Sequence, residues 1–378
     1  MPAVPEMTPE ELVLAVERGQ EIHVLDVRAP QRLASGRIDI VPDERFHNVR
    51  GSEVLARPEI GLPPSARVAV VCGYGNDSRR IAQFLNERGF RAASVAGGMV
   101  GWMRTVIRRE LAPPPELDRF VQLDRIGKGA LGYVLVSGRE ALVIDPPRHL
   151  EPVAQLLAKA RARLVGVADT HAHADYLSGG PALARAQGVP YYLHPADAVS
   201  PYDGRPARLE YTPLLNGQRL RVGRAEIEAL HTPGHTEGSV TFRLGDRFAL
   251  TGDFIFVASV GRPDLGDRTE EWTRVLFRSL AEAKRSWPKA LAICPAHYAL
   301  AMERGADRAV GAPFGEILRT NEPLRIAAEE EFARWIRARA GRFPDSYRRI
   351  KAINLGLEQA DESEADELEA GRNECALS

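Results

Sequence analysis

The sequence predicts an α/β protein of two units in series: a small parallel-sheet unit, then a layered one with two sheets between outer helices. Three observations predict it. Short β-branched runs alternate with amphipathic helices over the first hundred or so residues, the signature of a parallel sheet. A stiff Leu111-Ala-Pro-Pro-Pro-Glu116 stretch interrupts that alternation. Beyond it, paired strand signals joined by tight turns mix with further strand–helix units.

The first helix starts at Thr8-Pro9-Glu10-Glu11, which offers a capping hydroxyl, a proline at the first helical position and a glutamate three residues on. Ile22 to Val27 (IHVLDV) and Arg67 to Val71 (RVAVV) read as buried strands. A Gly-rich turn leads from the second of these into a helix over Ser78 to Arg88, stopped by Gly89, and Arg91 to Val95 is a third strand. After the proline run, Tyr133 to Val136 and Ala141 to Ile144 flank Ser137-Gly138-Arg139-Glu140 as a hairpin. A helix over Leu150 to Arg163, a strand over Leu164 to Ala168, a helix after Gly180 and a strand over Val189 to Leu193 follow. Arg219 to Leu230 and Ser239 to Leu250 read as further hairpins, Thr269 to Arg285 as a helix and Leu291 to Cys294 as a strand. Glu322 to Arg339 is predicted as one helix. From Leu357 on the chain is acidic and poor in aromatics, which predicts a frayed tail. The domain plan is therefore 1–110, a linker at 111–117, 118–320, and a helix with an acidic tail over 321–378.

Composition narrows the function classes. Fifty basic residues against 51 acidic ones leave no basic footprint for nucleic acid. The chain has no apolar run long enough for a membrane span and no basic-then-apolar leader at its start, so a cytoplasmic protein is expected. Three widely spaced cysteines, 72, 294 and 375, make no disulfide framework and suit a reducing compartment. Cys294 is expected in the core and Cys375 is expected to be inert in the tail. Oligomeric state stays open, a homodimer among the options.

Cys72 ends a strand, and the loop Gly73, Tyr74, Gly75, Asn76, Asp77, Ser78 opens a helix. Such a loop turns backbone N–H groups toward the sulfur, which suits an anionic thiolate or persulfide. Together with Leu25-Asp26-Val27-Arg28 and Ala96-Gly97-Gly98-Met99-Val100-Gly101-Trp102, this loop resembles a single rhodanese domain over roughly residues 5 to 110. The resemblance implies a sulfurtransferase with Cys72 as its nucleophile. Gly73 and Asp77 stand where many members of that family carry arginines, and fewer cations favour a less charged persulfide donor over thiosulfate.

In the second unit, Thr170-His171-Ala172-His173-Ala174-Asp175-Tyr176, His231-Thr232-Pro233-Gly234-His235-Thr236, Thr251-Gly252-Asp253 and Pro295-Ala296-His297 each follow an apolar strand. Each can therefore reach one sheet edge, and imidazoles with carboxylates suit zinc or iron. These motifs, in this order, resemble the metallo-β-lactamase fold over roughly 116 to 300, which implies an αββα sandwich with metal at the sheet edges. Two-metal members place a histidine where this chain has Tyr176. A phenol that keeps its proton at neutral pH is a poor substitute, so one metal is expected.

The resemblance to persulfide dioxygenases then implies one Fe(II) per chain, held by His171, His235 and Asp253 in the two-histidine, one-carboxylate arrangement of non-haem oxygenases. His173, Asp175, Tyr176 and His297 would stand behind those ligands or at the second metal position. Gly261-Arg262-Pro263-Asp264 is similar to a stretch whose arginine contacts glutathione in that family, which gives Arg262 to a substrate carboxylate. Where many relatives have an acidic residue after the last histidine, this chain has Tyr298, and no role is carried over to it. The implied function is oxidation of a small thiol persulfide, glutathione-based, to sulfite, coupled to a sulfur-carrying rhodanese-type unit. The alternative is a zinc-dependent thioester hydrolase of the glyoxalase II type, with the first unit a passenger or a sulfur-sensing module.

Overall fold

The computed structural model describes residues 4–57, 61–63, 65–266, 268–299, 303–341 and 343–376. The chain forms two compact units. One runs through Ile107 with short returns at 125–128 and 370–372; the other takes 108–124, 129–369 and the chain from Asn373.

The first unit is built on a five-stranded parallel sheet, in the order Glu6–Met7, Arg91–Val95, Arg67–Val71, His23–Asp26, Phe46–Asn48. The central strands are almost wholly buried, with Val24 to Asp26 and Val68 to Val71 inside, as a parallel sheet covered on both faces requires. Leu12, Val24 and Trp102 fill one side of the sheet; Leu25, Val70, Ile81 and Leu85 fill the other. The first helix, Pro9–Glu17, carries the full capping box: the Glu11 N–H donates to Thr8 Oγ1 at 3.1 Å, and the Thr8 N–H donates to Glu11 Oε2 at 2.8 Å. Asp26 is buried and accepts a two-pronged bond from Arg28, whose Nη2 also donates to the Gly36 carbonyl at 2.7 Å. That clamp explains why an aspartate can end a core strand.

The second unit is an αββα sandwich. Its seven-stranded sheet runs Thr212–Pro213, Tyr191–Leu193, Arg163–Ala168, Glu140–Ile144, Ala130–Ser137, Arg119–Arg125, Val106–Leu111. Its six-stranded sheet runs Arg219–Val222, Ala225–His231, Val240–Leu244, Phe248–Gly252, Ala292–Pro295, Ala312–Pro313. Leu135, Leu142, Ile144, Ile227, Phe242 and Leu250 interdigitate between them. Leu276 and Leu280 of helix Thr269–Ser286 close the outer face of the second sheet against Ala249 and Ile293. The proline run lies inside this unit, between the strands Val106–Leu111 and Arg119–Arg125. Among the described residues no helix is long and apolar enough to cross a membrane.

Two expectations need correction. The helix predicted over 322–339 is two helices, Glu322–Arg325 and Glu329–Arg339. Ile326 leaves the helix in extended backbone and packs on the core, and the Lys284 ammonium donates to the freed carbonyls of Leu324 and Ile326. Nor is the acidic tail frayed. Asp361 caps a helix over Glu362–Leu368, and Ala365, Glu369 and Cys375 are buried. The reason is Arg148, which pairs with Glu362, Asp366 and Glu369 at 2.7, 2.8 and 3.2 Å and neutralises one face of the acidic run. Glu369 also accepts the Leu177 N–H at 2.8 Å, which fastens the tail to the His-x-His-x-Asp loop.

Candidate metal centre and cysteine loop

The histidine motifs sit where strands end. Arg163–Ala168 delivers the loop carrying His171, His173 and Asp175; Ala225–His231 leads to His235; Phe248–Gly252 leads to Asp253; and Ala292–Pro295 leads to His297. All six side chains are buried. His171, His235 and Asp253 bring one donor atom each within 4.8 Å of one another. Asp253 Oδ2 lies 3.7 Å from His171 Nε2 and 3.4 Å from His235 Nε2, and none of these three atoms makes a hydrogen bond. Three buried polar atoms that face one point without bonding each other would be costly unless a cation lies between them. The donor set therefore fits a metal ion.

The groups behind these atoms fix their orientation. His235 Nδ1–H donates to the Arg262 carbonyl at 2.8 Å, which leaves the lone pair on Nε2. The Thr170 hydroxyl donates to Asp145 and lies 3.0 Å from His171 Nδ1, which accordingly carries the proton of that ring. His297 Nδ1 donates to Asp253 Oδ1 at 2.6 Å and leaves Oδ2 for the centre. Burial, reinforced by the neighbouring imidazoles, holds His171 well below the usual histidine range. Burial likewise lowers His235, against the opposing pull of Asp253. Burial alone would raise Asp253, yet His297 and His235 hold its carboxyl low. Two neutral imidazoles and one carboxylate are thus in the protonation states a metal needs.

His173 points Nε2 at Asp145 Oδ1, 3.1 Å away, with the Tyr176 hydroxyl at 2.9 Å; its Nδ1 is buried without a hydrogen bond. Burial keeps the Tyr176 phenol protonated. Asp175 Oδ2 lies 3.0 Å from His297 Nε2, and Cys375 joins them, one donor atom from each within 4.8 Å. Cys375, expected to be inert, is thus buried beside the metal centre.

Arg262 is the clearest departure from expectation. Its fork is closed on Asp264, Nε to Oδ1 at 2.6 Å and Nη2 to Oδ2 at 2.7 Å, and it also donates to the carbonyls of Gly341 and Glu374. The guanidinium is buried and fully engaged, so it is not a free receptor for a substrate carboxylate. Its own backbone carbonyl, holding His235, is its contribution to the centre.

His297 gives a pH prediction. Burial would lower this imidazole, but Asp175 and Asp253 on either side raise it to about 10. Its folded pKa lies above the ordinary value near ~6.5, so its stabilisation is complete below that value and is lost as pH rises through about 10. The metal-free protein is therefore expected to show a falling Tm between about pH 7 and 10, and His297→Gln to flatten that slope.

In the first unit, Cys72 is buried, and its Sγ accepts the Gly75 N–H at 3.1 Å with the Ser78 hydroxyl at 3.3 Å. Ser78 in turn meets Ser94 at 2.9 Å. Gly75 takes a left-handed turn that starts the helix Asn76–Asn86 directly behind the sulfur. Beneath the loop, the Met99 and Val100 N–H groups donate to the carbonyls of Cys72 and Gly73. Tyr74 stands exposed in the loop.

A sandwich with metal-type ligands at its strand ends, and a parallel sheet presenting a cradled cysteine, define the class. The chain belongs to the metallo-beta-lactamase superfamily, whose model matches residues 127–329, and it carries a rhodanese-like domain over residues 8–105. It is similar to the human mitochondrial persulfide dioxygenase ETHE1, 34% identical over 165 residues, 43% of this chain and 60% of that protein. It spans less than two thirds of that relative's length. A hydroxyacylglutathione hydrolase of Acidiphilium cryptum is 30% identical over 236 residues, 56% of this chain and 91% of the relative. Among solved structures, a metallo-beta-lactamase of Staphylococcus aureus superposes with a TM-score of 0.57 at 26% identity, covering 64% of this chain and 73% of that one. ETHE1 from Myxococcus xanthus shares the fold, with a TM-score of 0.51 at 22% identity over 67% of this chain and 100% of that one.

Proposed function

We propose that the second unit oxidises the sulfane sulfur of a small thiol persulfide, glutathione persulfide in the first instance, at one iron(II) ion held by His171, His235 and Asp253. The observation that carries this reading is the set of three converging, unbonded donor atoms, two imidazoles and one carboxylate. That ligand set leaves open positions on the ion. The overall change takes persulfide, dioxygen and water to thiol, sulfite and two protons. An iron(II) ion there supplies the redox chemistry that joins oxygen to sulfur. The chain's residues hold the ligands in one tautomer, keep Asp253 ionised, and exclude bulk water by burying every donor. In the first unit, Cys72 carries sulfane sulfur as a persulfide, its anion met by the Gly75 N–H and the Ser78 hydroxyl.

Oxygen uptake by the iron-loaded protein on addition of glutathione persulfide, with sulfite formed in equal amount, is the expected result. Absence of uptake removes the reading. One observation favours the zinc hydrolase alternative: His173 Nδ1 is also buried without a hydrogen bond, and its ring lies 4.2 Å from that of His171. Three imidazoles are then available, a common zinc set. Two zinc ions per chain and thioester hydrolysis without oxygen uptake would decide for it.

A further inference from the structure

Lys351 lies on helix Ser346–Asn354, beyond residue 329 where the superfamily match ends. Its side chain is 3% exposed. Among the described residues nothing lies in hydrogen-bonding or ion-pairing range of its ammonium. Burial pushes this ammonium down from the ordinary lysine range, against the opposing pull of Asp197 and Asp253. Its helix is bonded to the His-x-His-x-Asp loop through Asn354, so Lys351 stands beside the candidate centre on the C-terminal extension.

The carboxylates nearby are already committed. Asp197 Oδ2 accepts the Ala172 N–H and the Thr236 hydroxyl, and Oδ1 accepts the Gly238 N–H. Asp253 Oδ1 accepts from His297, and Oδ2 belongs to the ligand set. A buried ammonium without a partner is expensive, and more so beside a divalent cation. The arrangement becomes favourable when an anion lies between the two.

We propose that Lys351 is the anion-binding residue of the metal centre and takes a compact sulfur anion, either the charged end of the persulfide or the sulfite made from it. The choice of a sulfur anion rests on the dioxygenase reading; the existence of the subsite does not. The extension is thus part of the binding site: Asn354, one turn on from Lys351, donates to the carbonyls of His173 and Tyr176 and fixes this helix to the ligand loop.

The test uses the full metal-loaded chain. Sulfite is titrated calorimetrically without oxygen into wild type, Lys351→Met and Lys351→Arg, and KM and kcat for glutathione persulfide are measured on the same proteins. Expected is a loss of at least about tenfold in sulfite affinity or a comparable rise in KM for Lys351→Met, at unchanged metal content, with much of it restored in Lys351→Arg. A change in sulfite affinity alone assigns the subsite to the product; a change in KM alone assigns it to the persulfide. Unchanged affinity together with unchanged KM overturns the proposal, as does a wild type that neither binds sulfite nor saturates with persulfide. A wild type that binds sulfite through Lys351 yet takes up no oxygen retires the dioxygenase reading and leaves the subsite standing. Lys351→Met replaces a buried ammonium by an apolar chain of similar length and is expected to fold; if it does not, Lys351→Gln carries the same comparison.

Discussion

Replacing Asp253 with alanine is expected to empty the metal centre and take oxygen uptake with glutathione persulfide to background. The carboxylate supplies the only anionic atom of the proposed ligand set, 3.7 and 3.4 Å from the two imidazole nitrogens. Loss of a group that merely orients a ligand costs roughly 10–100-fold in metal affinity, so loss of the ligand itself is expected to exceed that. Asp253 also balances the His297 imidazolium through the 2.6 Å bond to Oδ1. Removing one partner of a buried ion pair costs about 3–5 kcal/mol. The metal-free variant should therefore be less stable than metal-free wild type, although neither holds a metal ion. Asp253→Asn keeps the shape and loses the charge, and it should fall on the same side in metal content. Elemental analysis of the purified chains, with denaturant unfolding of the metal-free forms, reads both effects. An Asp253→Ala chain that keeps its iron would remove Asp253 from the ligand set.

The residues proposed as ligands are legible in the sequence for a simple reason. Each follows a strand whose hydrophobic run is unmistakable, so Ala168, His231, Gly252 and Pro295 mark four strand ends that a sandwich brings to one edge. What they touch was not legible. Arg262 looked available because its partners are an aspartate two residues away and two carbonyls contributed by the distant Gly341 and Glu374. Cys375 is hidden because the composition of the tail from Leu357 on reads as solvated. Its acids fold back only because Arg148, more than two hundred residues earlier, collects three of them. Long-range charge pairing of this kind leaves no periodicity to read. The break at Ile326 leaves no sequence signal for a related reason, since it depends on a lysine from another helix donating to the interrupted carbonyls.

Cys72→Ser is expected to abolish sulfur transfer while oxygen uptake on added glutathione persulfide persists, because the proposed sulfur carrier and the proposed metal ligands belong to separate units. A serine hydroxyl has no sulfur to bear the persulfide, yet it fits among the same Gly75 and Ser78 partners, so the fold should be kept. Gly98→Ala makes the complementary case, with the cysteine left in place. A Cβ on Gly98 would stand 2.4 Å from the Cys72 carbonyl oxygen and 2.8 Å from the Gly73 carbonyl carbon, and these are backbone atoms that cannot turn aside. Gly98 also has φ +58°, a left-handed conformation that costs a side-chain-bearing residue about 1–2 kcal/mol before any clash is counted. The displaced loop would lose the Met99 and Val100 bonds that seat it, and with them the approach of the Gly75 N–H to sulfur. Sulfur transfer should then fall steeply although the thiol is still present, and Tm should drop as well. Thiol labelling separates the cases: Cys72→Ser loses one reactive thiol, whereas Gly98→Ala exposes Cys72 and labels faster than wild type. If Gly98→Ala transfers sulfur at the wild-type rate, the loop geometry is not what activates Cys72.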